Sequence, residues 1–133
     1  MIEIHDCKGT RLCLVWQKVD WKEGLQFLTE DHQFMQVGTW WYEKGKILDR
    51  HHHNILERKS NLTQECVIIL SGRMKVDIYD KTNSLVDNFE LFAGDLAIFE
   101  DGGHGYEILE DDTRIIETKN GPFMGIDLDK TRF

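Results

Sequence analysis

Between Gly72 and a polar run at residues 80–84 the chain alternates without a break. Met74, Val76 and Ile78 stand against Arg73, Lys75, Asp77 and Tyr79. Successive side chains of an extended chain point to opposite faces, so this spacing marks a half-buried β-strand. The same grammar repeats on either side. Residues 63–70 are rich in β-branched and apolar side chains and close at Ser71-Gly72, and residues 85–92 read as a further strand. Ala93-Gly94-Asp95 turns the chain into residues 96–99, and strand-like stretches at 106–109 and 113–118 flank an acidic turn at 110–112. Short strands at such intervals point to a β-sandwich or barrel.

The first third is mixed. Residues 11–19 read as a strand. Asp20 and Glu23 have the N-cap and N3 spacing of a capping box, which predicts a short helix through about Leu28. Residues 34–42 alternate and are expected to re-enter the sheet, with Trp40, Trp41 and Tyr42 as core. Pro122, the only proline, follows the last strand in a turn into the tail. No repeat, low-complexity segment or interdomain linker divides the 133 residues, a length that suits one domain.

Charge and cysteine content narrow the function. Sixteen Lys and Arg against 24 Asp and Glu give a net charge of -8, which argues against a nucleic-acid partner. Arg50, Arg58 and Lys59 form the nearest approach to a basic cluster. No apolar run approaches membrane-spanning length, and the first residues lack a secretory pattern, so a cytoplasmic location is expected. The odd count of three cysteines without a CxxC indicates neither a disulfide framework nor a zinc knuckle. Cys66, in an apolar run, reads as a small buried thiol.

The chemistry-bearing residues are spaced through the middle of the chain: Gly45, His51, His53, Glu65, Gly72, Gly94, Gly102 and His104. Imidazoles two apart on a strand face the same way. A carboxylate and a third imidazole from neighbouring strands complete a metal site. Such donors suit iron, manganese, nickel, zinc or copper better than calcium. His52 would face the opposite way, and a shift of register would exchange its role with the other two. Glu57 shares strand parity with His51 and His53, whereas Glu65 shares a face with Val67 and Ile69. Tyr106 shares parity with His104 and is a possible proton donor. His5 and His32 read as surface or structural residues.

These positions resemble the two motifs of the cupin superfamily, small β-barrels of jelly-roll topology. Gly45, five residues, His51-His52-His53, then Glu65, six residues and Gly72 follow the order of the first motif. Gly94, five residues, Glu100, Asp101, Gly102 and His104 follow the second. The chain departs from the pattern in four places. Eleven residues separate His53 from Glu65, Glu100 replaces a proline, His104 comes one residue early, and Ile108 stands in place of an asparagine. The closing residues 119–123 and 129–133 resemble those of small single-domain bacterial and archaeal cupins.

The resemblance implies an all-β, cupin-like jelly-roll with a motif-bearing core at about 34–118 and a tail at 119–133. It implies a divalent transition metal held by His51, His53, Glu65 and His104, with Glu65 favoured over Glu57. The family hosts dioxygenases, decarboxylases, isomerases, epimerases, storage proteins and sensors, and fold alone does not select among them. The expectation is a small metal-dependent enzyme acting on a polar, oxygen-rich metabolite, a sugar derivative or organic acid, with Arg58 or Arg73 neutralising an anionic group. The alternatives are a non-catalytic ligand-binding or sensor protein and a metal-free structural barrel. Pairing through sheet edges, as a homodimer, is expected.

Overall fold

The computed structural model describes residues 1–133. Ten strands account for nearly all its regular structure: β1 (Ile2–His5), β2 (Arg11–Trp16), β3 (Gly24–Phe27), β4 (Gly38–Trp41), β5 (Glu65–Ser71), β6 (Arg73–Tyr79), β7 (Leu85–Phe92), β8 (Leu96–Phe99), β9 (Gly103–Ile108) and β10 (Arg114–Lys119). One helical turn, α1 (Ile126–Asp129), lies in the tail. No helix is long and apolar enough to cross a membrane.

The protein is all-β, in three antiparallel sheets that do not close into a barrel. The largest has the order β1-β2-β8-β5-β10, a second the order β7-β6-β9, and β3 pairs only with β4. Periodicity explains how the first two meet. Met74, Val76 and Ile78 of β6 turn inward with Leu91 of β7, against Cys13, Val15, Val67, Ile69, Ala97 and Phe99 of the five-stranded sheet. The opposite face of that sheet, Leu14, Trp16, Cys66, Leu96 and Ile98, is covered by Leu28 with Trp21, Met35 and Val37. Strands buried on both faces need apolar side chains at every position, which is why β2 and β8 read as unbroken hydrophobic runs. Cys13 and Cys66 are buried free thiols. Burial pushes the Cys66 thiol up to about 11, so it packs as a small apolar group.

Three local expectations are corrected. The helix read from Asp20 to about Leu28 is absent. A single 3-10 turn spans Lys18–Asp20, with the Asp20 carboxylate accepting the Gln17 N–H at 2.9 Å, and Gly24 at φ 97° then turns the chain into β3. β4 does not re-enter the main sheet but forms the hairpin with β3, leaving Trp40 and Trp41 about half exposed rather than in the core. No strand forms between Trp41 and Glu65, so His51 and His53 have no ladder to fix their facing.

Candidate functional site

Register brings one end of the sandwich together. Glu65 opens β5 opposite Phe99, the last residue of β8, and opposite Lys119, the last of β10. His104, near the start of β9, stands opposite the inward-facing Ile78. Glu65 has the parity of Val67 and Ile69, so it too points between the sheets, and it is 4% exposed.

The result is a carboxylate and an imidazole in contact, with Glu65 Oε2 2.9 Å from His104 Nε2. The approach lacks hydrogen-bond alignment, and Oε2 is buried without a hydrogen-bond partner. His104 stacks on Phe99, ring centroids 4.3 Å apart, and Tyr106 lies 5.2 Å beyond it. On the other side, Lys130 and Lys119 approach Glu65 Oε1 at 3.7 and 3.9 Å, and Lys119 also binds Asp129 at 2.8 Å. The nearby imidazole, reinforced by the two ammonium groups, holds the Glu65 carboxyl below its usual range although burial opposes this. Partial burial and then the Glu65 charge push the Tyr106 phenol up, so it stays protonated.

Two glycines allow the approach. Gly102 has φ 71°, and a Cβ there would lie 2.3 Å from the Tyr79 carbonyl oxygen. A Cβ on Gly103 would meet the Phe133 ring at 2.9 Å. The chain thus passes tightly under Tyr79 and Phe133, whose rings meet edge to face, and delivers His104 to Glu65.

Above the pair opens a cavity of about 420 Å³. Its walls include Asp80, Lys81, Asn83, Asp101, Asp129, Lys130, Thr131 and Phe133. Lys81 is already tied to Asp101 at 2.7 Å. Carboxylates outnumber ammonium groups, so the wall offers many donors and acceptors but little net attraction for an anion.

Of the residues singled out in the sequence, Glu65 and His104 meet here. His51, His52 and His53 do not. They sit exposed in the segment between β4 and β5, His51 and His53 5.2 Å apart ring to ring and His51 Nδ1 3.0 Å from the Asp49 carbonyl. Glu57 is exposed and paired with Lys59. Tyr106 is beside His104 but off the cavity wall. Arg73 pairs with Glu90 and Glu110, and Arg58 is exposed, so neither arginine serves this cavity. The ammonium groups on the cavity wall are Lys81 and Lys130.

The arrangement does not fit a four-ligand metal centre. It supplies two donors, its other close neighbours are cations, and no three His, Cys, Asp or Glu side chains converge anywhere. A scan of protein-family models and searches of curated proteins and of solved structures return no match to this chain.

Proposed function

We propose that this chain binds a small, hydroxyl-rich molecule in the cavity over Glu65 and His104, and that the pair exchanges protons with it. The observation that carries this reading is a buried, ionised carboxylate touching an imidazole at the floor of a polar cavity. An imidazole is the side chain best suited to gain and lose protons near neutrality, and the buried carboxylate in contact with it holds the ring at the cavity floor. Phe99 and Phe133 offer apolar faces, while the ion-paired wall offers hydrogen bonds without net positive charge. Neutral sugars and polyols are therefore favoured over organic acids.

A cupin-like jelly-roll is consistent with two facing sheets and with Glu65 and His104, one from each motif, meeting at one cavity. A metal-dependent reading draws on one observation, the unpartnered Glu65 Oε2 beside His104 Nε2, and would require His51 and His53 to travel from their exposed segment.

Titrating isotope-labelled protein with neutral sugars, polyols and matched organic acids tests the proposal by NMR. Saturable shifts at His104 and Lys130 with the neutral compounds, abolished by His104→Ala, are expected. Shifts that survive His104→Ala, or none at these residues, would refute it.

A further inference from the structure

The β3–β4 hairpin is built inside out. Leu25 and Trp40 are directly opposed, and Phe27 lies over Gly38, placing three large apolar side chains on one face. They are 44%, 53% and 62% exposed for Leu25, Trp40 and Phe27. On the other face Thr39 is buried, the Thr39 Oγ1 and Gln26 Oε1 atoms have no partner, and only Trp41, at the open end and 48% exposed, is apolar. A strand that hides its polar face and shows its apolar one is expected to have something against it. The hairpin also pairs with no third strand, and two-stranded sheets are marginal alone.

We propose that this outward face is a self-association surface, occupied by the same face of a second copy of the chain related by a two-fold axis. Charge argues for a copy of itself. In a protein with 30% charged residues and a net charge of -8, the eight residues of these strands, Gly-Leu-Gln-Phe and Gly-Thr-Trp-Trp, carry none. Most other faces of two such acidic molecules would repel. At the end of the hairpin where Gly24 pairs Trp41, the chain places Lys22 and Glu23 beside Glu43 and Lys44. Two of each sign at one edge are self-complementary under a two-fold.

Area agrees. With side chains of the kind that bury roughly 150–250 Å² when covered, the exposed parts of these three sum to roughly 300 Å² per copy. Two copies would remove roughly 600 Å² of apolar surface, which with a normal polar rim reaches the ~1,000 Å² of a specific interface.

Sedimentation equilibrium of the tag-free full chain, from micromolar to submillimolar concentration, tests this with Phe27→Asp and Trp40→Asp. Because both side chains are exposed, the variants should keep the wild-type far-UV circular dichroism. The expected result is a dimer mass for the wild type and a monomer mass for each variant at the same concentration. Leu85→Asp, exposed on β7 away from the hairpin, should leave the dimer intact. A wild type that stays monomeric throughout overturns the proposal. So does a dimer that survives both hairpin substitutions, or one that only Leu85→Asp dissociates.

Discussion

Glu65 keeps its charge where water is nearly excluded, and its neighbours decide which ionisation state the fold prefers. The imidazole of His104 lowers the carboxyl most, burial raises it, and Lys130 and Lys119 lower it further. A carboxyl lowered on folding adds stability that is complete above its unfolded pKa and is lost as pH falls through the lowered folded value. Urea stability should therefore decline once pH drops below the ordinary carboxylate range. Glu65→Gln should flatten that acid-side slope and cost about 1–3 kcal/mol at neutral pH. An unchanged slope would assign the acid sensitivity to other lowered carboxyls, such as Asp20 and Asp80. A second buried carboxylate is held by an arginine fork. Glu100, where a proline was expected from the motif resemblance, accepts a two-pronged contact from Arg11, Nε at 2.7 Å and Nη2 at 2.8 Å, and is 4% exposed. Arg11→Ala strands that charge and should cost about 3–5 kcal/mol. Arg11→Lys keeps the charge without the fork and should cost less. Urea melts of both variants decide it; equal losses would mean that the charge alone is not what matters. Glu65 was legible because its parity with Val67 and Ile69 is local. Lys119 and Lys130 were not, because their meeting with Glu65 depends on strand pairing and a tail fold that no short window records.

At the scale of elements, regular alternation and glycine-marked turns carried the reading from β5 to β10, most firmly at β5, β6 and β8, which bury one face or both. Two failures have a shared cause. Asp20 and Glu23 have the spacing of a capping box, but Gly24 at φ 97° follows at once, and β4 was available as a partner for an extended segment. His51 and His53 have strand parity, but no neighbouring strand accepts residues 42–64. Parity says which way side chains point only once a ladder exists. The turn before β9 shows the opposite case, where one residue fixes an element. In Gly102→Ala the new Cβ meets the backbone oxygen of Tyr79, which cannot swing aside as a side chain would. A loss of about 1–3 kcal/mol is expected from the forced φ and the displaced strand start. The His104 ring signals should move with it in NMR spectra. A variant with wild-type melting and unmoved His104 signals would mean that the turn relaxes without disturbing β9.

For the whole molecule the separation of two histidine-bearing regions decides what kind of protein this is. Antiparallel all-β architecture was readable from turn chemistry, but the joining of β2, β8 and β5 into one sheet buried on both faces depends on contacts far apart in sequence. That joining fixes where Glu65 and Phe99 lie, and it leaves the imidazoles of His51 and His53 in solvent while His104 sits on the cavity floor. If the cavity works with the Glu65–His104 pair alone, tag-free protein should retain well under one equivalent of transition metal after dialysis. A His51→Ala/His53→Ala double variant should then bind the same hydroxyl-rich ligands with unchanged affinity. If the four residues act together, elemental analysis should find about one equivalent of metal, because three or four imidazole and carboxylate donors hold such ions firmly. That metal should disappear from the folded double variant, and ligand affinity should disappear with it. The two outcomes differ in both metal content and ligand binding, so the pair of measurements separates a proton-transfer cavity from a metal centre assembled by movement of the segment between β4 and β5.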